Sequence, residues 1–353
     1  MQAGRCNSGC QPRNSDWARR CQWDRHGSVW GVCSPQQAAR SLEFAKTLGG
    51  GSILGMSPCN IMPYLQGRTL WLIGDSHSKV LYRALGCFLI DFHGQKECEP
   101  SSDAAAVQQL RKLPAAPGQS KCLHLLDGGR VCIVHAALGT ALVNNKEVAS
   151  GGVMPLLRAK FAQPQDIFYV SYGSWHGKSP AYWAALRPAM EGLAADYRAT
   201  KSRFPHVLFR EQPAYHKADA SKQFCTPAKG LMYQASTGQL QAQGTVDRQQ
   251  QWILGGTTNQ MANEVFPKAG IPVISAYNMS VPLHDAHVGK VLTPGNDIDC
   301  IHYCHPGVPE AWIWQLYQAL RSGATGLKPT TRRDVSRMQQ FKCVPSTSAA
   351  FDF

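Results

Sequence analysis

The stretch TLWLIGDSHSKVLYRALGCFL (residues 69–89) joins a short apolar run to a polar, helix-compatible segment through Gly74-Asp75-Ser76. Its first six residues predict a buried strand, and the apolar residues spaced three and four apart after Ser76 predict an amphipathic helix. Ser76 lies at the junction, where it is either a helix N-cap or a nucleophile held at the end of a strand. The local sequence leaves both interpretations open.

The same alternation of strand-like and helix-like segments continues toward the C-terminus. Strands are predicted over 130–136, 166–173, 206–212 and 271–278, and helices over 180–199 and 308–322. We expect Pro188 to break or kink the first of these helices. Strands that alternate with helices indicate parallel pairing and a sheet covered on both faces. Functional residues of such sheets gather at the carboxyl ends of the strands, which is where Ser76 lies.

Composition divides the 353 residues into three regions. Residues 1–66 are rich in Cys, Trp and Arg without a periodic apolar pattern, and they predict a loop-built segment stapled by disulfides and packed on the catalytic domain. Residues 67–322 carry the alternating pattern of that domain, interrupted by a Gln-rich surface insertion near 221–251. Residues 323–353 form a polar tail in which Cys343 is a candidate anchor.

The cysteines and the charge constrain the compartment and the partners. Thirteen cysteines without a repeated CxxC framework favour disulfides in the secretory pathway over zinc fingers. Asn278 begins an Asn-Met-Ser glycosylation sequon, which fits that compartment. The formal charge of +13 favours a polyanionic partner such as an acidic polysaccharide. No basic stretch is interleaved with aromatic residues, so nucleic-acid binding is not expected.

Membrane attachment is expected only through a segment that this chain lacks. No run of residues is long and apolar enough to cross a bilayer. The first residues, MQAGRCNSGCQPRNSDW, also lack the apolar stretch of a signal peptide. We therefore expect a targeting segment or anchor to have been removed from the N-terminus.

The stretch NDIDCIHYCHPGVPEAW (296–312) supplies the partners that a serine nucleophile requires. Such a serine needs a base within hydrogen-bond reach, and the base needs an acceptor that fixes its tautomer. Asp299 and His302 lie three residues apart before a Pro-Gly turn, a spacing that allows the carboxylate to contact the ring and leaves Nε2 for Ser76. A surface loop with a solvated histidine is the simpler alternative.

Cys300 and Cys304 flank this histidine and allow two further interpretations. Disulfides at these cysteines would immobilise the loop, as a catalytic base requires. Zinc would accept ligands from CIHYCH and from HDAH, namely Cys300, His302, Cys304, His305, His284, Asp285 and His287. Because the Cys-x3-Cys spacing lacks a second matched pair, no metal site is expected, and a zinc assay would separate the two interpretations.

Gly-Asp-Ser after a buried strand, combined with DCIHYCHPGVPEAW (299–312), resembles the trichome birefringence-like family in the PC-esterase group of SGNH-type hydrolases. The C-terminal block of that family is typically Asp-Cys-x-His-Trp-Cys-x-Pro-Gly-x-Pro-[Asp/Glu]-x-Trp. This sequence departs from it at Tyr303, where Trp is usual. Weaker similarity lies in CQWDRHGSVW (21–30), LQGRTL (65–70) and VLFREQPAYH (207–216), so the resemblance covers most of the chain.

The resemblance implies an SGNH-hydrolase-like α/β fold, with a flavodoxin-like parallel sheet and helices on both faces, and a triad of Ser76, His302 and Asp299. The oxyanion or substrate residues that it implies are Gly74, Asp75, Ser171, Gly173 and Trp175. Ser171 replaces the oxyanion asparagine of the family, and Trp175 is equally suited to a sugar platform or to the core. Nothing in the resemblance adds a metal ligand.

The resemblance also implies disulfides, and the start of the predicted helix sets an expectation for one histidine. The cysteines expected in disulfides are Cys21, Cys33, Cys59, Cys87, Cys300 and Cys304. We expect Cys300 and Cys304 to pair with distant partners, one of them in the N-terminal segment. His77, at the start of the predicted helix, is expected to point away from the site.

Members of the family mostly transfer acetyl groups onto polysaccharide hydroxyls in the Golgi lumen, so the resemblance implies a secretory-pathway polysaccharide O-acetyltransferase that forms an acyl-serine. Its acceptor would be a polysaccharide or oligosaccharide, including acidic ones. No bound cofactor is expected, and the acetyl donor, such as acetyl-CoA or another acyl carrier, would be a co-substrate. The alternatives are a carbohydrate acetyl esterase on the same triad and a catalytically decayed polysaccharide-binding protein.

Overall fold

The computed structural model describes residues 31–89, 92–100, 105, 120–125, 128–244, 247–290, 298–330 and 341–345. The helices are α1 (Pro35–Thr47), α2 (Pro58–Leu65), α3 (Ser76–Phe88), α4 (Val153–Lys160), α5 (Pro180–Ala184), α6 (Leu186–Thr200), α7 (Asp247–Ile253), α8 (Gly256–Ala269) and α9 (Val308–Arg321). The strands are β1 (Thr69–Gly74), β2 (His93–Pro100), β3 (Ser120–Leu125), β4 (Arg130–His135), β5 (Ile167–Ser171), β6 (Val207–Arg210), β7 (Lys217–Ala218), β8 (Cys225–Thr226), β9 (Leu231–Gln234), β10 (Gln239–Ala242), β11 (Val273–Ile274), β12 (His287–Lys290), β13 (Ile298–Tyr303) and β14 (Phe341–Pro345).

An eight-stranded mixed sheet forms the centre of the structure, in the order β11-β6-β5-β1-β4-β3-β2-β14. Strands β11, β6, β5, β1 and β4 are parallel, as the alternation of strands and helices predicts. The expectation of a parallel sheet is wrong for β3, β2 and β14, which run antiparallel at one edge. Only a short turn separates β3 from β4, and such a connection joins antiparallel neighbours but cannot join parallel ones.

Helices cover both faces of the sheet, as predicted, and β1 shows how the two faces are built. All six of its residues are buried. Leu70 and Leu72 pack with residues of α3 and α9, whereas Trp71 and Ile73 pack with residues of α6 and α8. Because successive side chains of a strand point to opposite faces, a strand covered on both sides is a continuous apolar run in the sequence.

The N-terminal segment is more regular than its composition indicates. The expectation of a loop-built segment is wrong for residues 31–66, which contain α1 and α2. Each helix begins at a Ser-Pro pair, Ser34-Pro35 or Ser57-Pro58, with serine as N-cap and proline in the first turn. Proline suits that position because the first N–H groups of a helix have no partner within the helix.

Two boundaries in the second half of the chain differ from expectation. Part of the polar tail, Phe341–Pro345, is strand β14 at the edge of the main sheet. The break expected at Pro188 lies instead at Ala185, between α5 and α6. Pro188 sits in the first turn of α6, where the missing N–H costs no hydrogen bond. The Gln-rich insertion contains the hairpin β9–β10, which buries Leu240.

Disulfides tie distant parts of the chain together. The bonded pairs are Cys33–Cys304, Cys122–Cys132 and Cys225–Cys300, and Cys59 and Cys87 are disulfide-bonded as well. Cys304 is thus joined to the N-terminal segment and Cys300 to the insertion, whereas Cys21 lies outside the described residues. These bonds are compatible with a secreted or lumenal protein. Within the described parts of the chain, no helix has the length and apolar character of a membrane span.

Candidate active site

Ser76 is the first residue of α3, and only Asp75 separates it from the carboxyl end of β1. The helix N-cap is Asp75, whose carboxylate accepts a hydrogen bond from the His77 N–H at 3.1 Å. The interpretation of Ser76 as the cap is therefore wrong, and its hydroxyl is left for other contacts. Gly74 permits this tight junction, because a Cβ at that position would lie 1.9 Å from the Ser171 carbonyl oxygen of β5.

Ser76, His302 and Asp299 form a continuous relay although 226 residues separate the serine from the histidine. His302 Nε2 lies 2.7 Å from Ser76 Oγ, and His302 Nδ1 lies 2.7 Å from Asp299 Oδ2. When Nδ1 donates to the carboxylate, Nε2 is free to accept the serine proton. The structure thus brings together the three residues that the sequence analysis singles out, in the order that a nucleophile, a base and its acceptor require.

Asp299 is held in place by its own turn. Its second oxygen, Oδ1, accepts the backbone N–H groups of Ile301 and His302, each at 2.9 Å. Burial alone would raise the pKa of Asp299, but the hydrogen bond and positive charge of His302 lower it below its ordinary value. The carboxylate is therefore charged at neutral pH and able to stabilise a protonated His302.

The segment from Asp299 to Cys304, here called the histidine loop, contains most of strand β13 and is fixed from both sides. The Cys225–Cys300 disulfide holds the residues before the histidine, and the Cys33–Cys304 disulfide holds the residues after it. The Cys304 N–H also donates to the Ala286 carbonyl at 2.9 Å. A base immobilised in this way loses little orientational entropy when it reacts.

His77 is a neighbour of the site that the sequence analysis did not identify. Its ring is fully buried and its centroid lies 5.4 Å from that of His302 and 5.7 Å from that of Tyr215. Nε2 is 3.1 Å from the Ile301 carbonyl oxygen, which accepts a hydrogen bond from it. The expectation that His77 points away from the site is wrong, because the ring supports the backbone of the histidine loop.

Ser171 lies at the end of β5 beside Gly74, but its hydroxyl is engaged elsewhere. Arg210 Nη2 donates to Ser171 Oγ at 3.2 Å, and the Gln212 amide lies 2.9 Å from the same oxygen. The Gln212 amide satisfies all its neighbours when its oxygen faces Ser171 and its nitrogen faces Asp75 Oδ2 at 3.2 Å. The described hydrogen bonds of Ser171 therefore lead to a buried polar network and not to Ser76.

Asp75 is the acidic centre of this network. Burial would raise its pKa, but the hydrogen bonds from His77 and the nearby Arg210 guanidinium lower it below its ordinary value. Arg210 is itself fully buried, and its guanidinium lies 4.3 Å from the centroid of the Trp312 ring. Asp75 is therefore ionised although it is buried, and as the N-cap of α3 it fixes the first turn of the helix on which Ser76 lies.

A cleft of about 500 Å³ opens beside this network. Its aromatic lining residues are Trp183, Tyr215, Trp252 and Tyr277, and its polar ones include Gln212 and Asn259. Lys217 is the charged residue among the described lining residues, which include no carboxylate. The sequence analysis named none of the four aromatic residues, because they are widely separated in the chain and share no motif.

Gly173 and Trp175, both expected to bind substrate, differ in that only Gly173 lines the cleft. Gly173 lines the cleft, and a Cβ at this position would lie 2.3 Å from Thr258 Cγ2, so the backbone approaches α8 closely. Trp175 is half-buried and does not line the cleft; the Lys178 ammonium lies 3.6 Å from its ring centroid. The cation covers a ring face that a sugar platform would need free.

Most of the ligands considered for zinc have other partners. Cys300 and Cys304 are in disulfides, so neither provides a thiolate. Asp285 pairs with Arg40, and His287 is hydrogen-bonded to His216. In the part of the chain that the structure describes, no three His, Cys, Asp or Glu residues are grouped to hold a metal ion.

The glycosylation sequon lies in a packed region. Asn278 is half-buried and its Nδ2 donates to the Gly238 carbonyl at 3.0 Å, while Ser280 is fully buried. A glycan on Nδ2 would displace the contact with the β9–β10 hairpin. The fold therefore provides no open site for a glycan at this asparagine.

Comparison with known proteins provides no relative that assigns a function. No protein-family model matches the chain, and no curated protein matches it. The geometry around Ser76 is therefore the main basis for a functional proposal, together with the motifs in the sequence.

Proposed function

We propose that the protein is a polysaccharide O-acetyltransferase that acts through an acyl-serine intermediate. The observation that carries the proposal is the relay of two 2.7 Å contacts from Ser76 through His302 to Asp299. A serine, a histidine and a carboxylate in this order are the groups that acyl transfer uses on unrelated folds.

In the first half-reaction, Ser76 Oγ attacks the carbonyl carbon of the acyl donor while His302 Nε2 takes the hydroxyl proton. The tetrahedral intermediate collapses, His302 returns the proton to the leaving group, and acetyl-Ser76 remains. In the second half-reaction, His302 takes a proton from a sugar hydroxyl, whose oxygen attacks the ester. Collapse of this intermediate releases the acetylated sugar, and the proton returns to Ser76 Oγ.

The developing oxyanion requires donors that are already in place. Ser76 is the first residue of α3, and the first N–H groups of a helix have no partner within the helix. Its own backbone N–H is therefore the donor that we assign to the oxyanion. The Ser171 hydroxyl is a weaker candidate, because its described hydrogen bonds go to Arg210 and Gln212.

The cleft, which Gln212 connects to Asp75 and whose lining residues do not include Ser76, is the proposed acceptor site. Trp183 is 39% exposed and lines the cleft together with Trp252, so flat ring surfaces are available for sugar rings. Amide side chains between them could bind sugar hydroxyls. Lys217 and the absence of a carboxylate among the described lining residues favour a neutral or acidic glycan over a basic one.

The family and the compartment belong to the same proposal. The serine at the carboxyl end of β1 and the histidine loop before α9 support the resemblance to the trichome birefringence-like family and an SGNH-type fold. The disulfides support an oxidising compartment. We infer that the protein acts in the secretory pathway, in the Golgi lumen if it follows the family it resembles.

An acetyl esterase is the competing function, because water could replace the sugar in the second half-reaction. The side chains of His302 and Asp299 are 20% and 15% exposed, so solvent reaches the relay. The decayed binding protein is less well supported, because every member of the relay is present and in hydrogen-bond contact.

The first experiment measures acetate release from 4-nitrophenyl acetate by the wild-type protein and by Ser76→Ala. We expect turnover in the wild type and its loss in the variant, with Ser322→Ala, an exposed serine at the end of α9, as the matched control. Mass spectrometry of acid-quenched wild-type protein should locate an acetyl group on Ser76. Turnover that persists in Ser76→Ala would refute the nucleophile.

The second experiment separates transfer from hydrolysis. The protein is incubated with an isotope-labelled acetyl ester and a panel of neutral and uronic-acid-containing oligosaccharides. Label bound to an oligosaccharide supports the transferase, whereas free labelled acetate with every acceptor supports the esterase. Oligosaccharide binding without either product would favour the binding protein.

A further inference from the structure

Two buried histidines outside the triad form a chain of contacts that ends on the catalytic base. The Val281 carbonyl oxygen lies 2.9 Å from His216 Nε2, and His216 Nδ1 lies 2.7 Å from His287 Nε2. His287 Nδ1 in turn lies 3.1 Å from the main-chain carbonyl oxygen of His302. These contacts thus lead from the Val281 carbonyl, through two imidazole rings, to the backbone of His302, whose side chain contacts Ser76.

The two carbonyl oxygens at the ends of this series of contacts constrain the number of protons that the two histidine rings must carry. A carbonyl oxygen only accepts, so His216 Nε2 and His287 Nδ1 must both carry protons to satisfy Val281 and His302. The contact between the two rings requires a third proton. Two neutral imidazoles supply only two, so one of the three contacts is unsatisfied unless the pair takes up one more proton.

Two neutral arrangements keep a hydrogen bond between the rings, and they differ at His302; a third, with both ring protons on the carbonyl contacts, would face two lone pairs across 2.7 Å. In the first, His216 Nδ1 donates to His287 Nε2, which places the proton of His287 on Nδ1, where it binds the His302 carbonyl. In the second, His287 Nε2 donates to His216 Nδ1 and His216 Nε2 donates to the Val281 carbonyl. A lone pair of His287 Nδ1 then faces the His302 carbonyl. One added proton completes all three contacts and leaves no such choice.

We propose that His287 is a positioning residue for His302, that His216 sets its tautomer, and that the two rings take up a single proton as one unit. The role assigned to His302 rests on the proposed function, whereas the proton count rests only on the geometry of the pair. The His287 backbone is also fixed, because its carbonyl accepts from Gln37 Nε2 at 2.8 Å.

The surroundings of the pair oppose added protons. Burial lowers the pKa of His216 to about 4 and that of His287 to about 3; the charge of His284 lowers the first further, and the charges of His216 and His77 lower the second further. Asp285 and Asp299 act in the opposite direction, and Tyr303 stacks on His287 with ring centroids 4.0 Å apart. One shared proton gains a hydrogen bond that an isolated ring lacks, whereas a second proton would place two like charges in contact.

Two amide substitutions at His287 test the positioning role. Asparagine places its amide nitrogen where Nδ1 stands and keeps a donor to the His302 carbonyl, whereas glutamine places it where Nε2 stands and loses that donor. We expect His287→Gln to lower kcat by about tenfold to a hundredfold with KM unchanged. His287→Asn should retain most of kcat. Equal losses in both variants, or a loss confined to KM, would overturn the positioning role.

Nuclear magnetic resonance of protein with isotope-labelled histidine tests the proton count without any activity. We expect one proton, not two, to enter the His216–His287 pair as the pH is lowered, with coupling across the N···N contact. In His287→Asn, His216 should accept its proton at a lower pH than the wild-type pair does. Two independent titrations, or an unchanged His216 titration in the variant, would refute the shared proton. If the wild type lacked turnover of acetyl esters, the proposed function would fail while this measurement still decided the pairing.

Discussion

Asp299→Asn is the substitution for which the structure specifies the outcome most closely. Asp299 Oδ1 accepts two backbone N–H groups, from Ile301 and His302, and Oδ2 accepts from the His302 ring. An asparagine keeps the two backbone bonds only if its oxygen takes the place of Oδ1. Its NH₂ group must then face His302 Nδ1.

This orientation reverses the tautomer of the base. With an NH₂ donor at 2.7 Å, His302 Nδ1 must accept, so the ring proton moves to Nε2 and faces Ser76 Oγ. Nε2 then cannot take the serine proton. Reversal of the tautomer in this way lowers kcat by about 10⁴-fold in serine hydrolases, which corresponds to about 5.4 kcal/mol in activation free energy.

The assay is steady-state hydrolysis of 4-nitrophenyl acetate by Asp299→Asn, with thermal unfolding to show that the variant is folded. Asp196→Asn is the matched control, because Asp196 is a partly buried carboxylate paired with Arg158 on another part of the fold. We expect kcat to collapse only in Asp299→Asn. If that variant keeps more than about a tenth of the wild-type kcat while folded, the tautomer reasoning is wrong.

Two further predictions concern stability. Burial raises the pKa of Glu310 from its ordinary value of 4.5 to about 8, so between these values the folded protein holds a proton that the unfolded chain releases. Wild-type stability should therefore fall as the pH rises through that window. The Tm of Glu310→Gln minus the Tm of the wild type should then increase between pH 5 and pH 8, and a Tm difference that does not change with pH would contradict this. Cys225→Ala with Cys300→Ala opens a disulfide that spans 75 residues, and the chain-entropy model predicts a loss of about 4.5 kcal/mol of unfolding free energy. The same change should also lower kcat by freeing the histidine loop. The Cys122→Ala with Cys132→Ala control spans 10 residues, so urea unfolding should give a smaller loss of about 3 kcal/mol and kcat should be unchanged; a lower kcat in the control would count against the loop argument.

Much of the local structure around Ser76 could be predicted from neighbouring residues. The apolar run from Thr69 to Gly74 is a strand with those bounds, and the helix begins one residue before the predicted segment. Strand and helix periodicity arise from burial of residues that are close in the chain, so they are visible without the fold. The Ser-Pro pairs that begin α1 and α2 are equally local signals, and they show that the N-terminal helices were also predictable.

The site was predictable only where residue types and spacing are restrictive. Asp299 and His302 lie three residues apart in β13, and their spacing permits the contact that the structure has. His77 was misjudged because its environment is set by Ile301 and Tyr215, which are remote in the chain. The aromatic cleft has no sequence pattern for the same reason.

The sequence by itself determined the strand–helix alternation, the serine at a strand end and the Asp299-x-x-His302 spacing that allows the carboxylate to reach the ring. Only the tertiary structure decided that β3, β2 and β14 pair antiparallel with their neighbours, and that His216 meets His287 behind the backbone of His302. The physical reason is range. Periodicity, caps and turns depend on interactions within a few residues. Strand order and side-chain pairing depend on contacts between segments that are far apart in the chain, and no local sequence pattern shows which segments will meet.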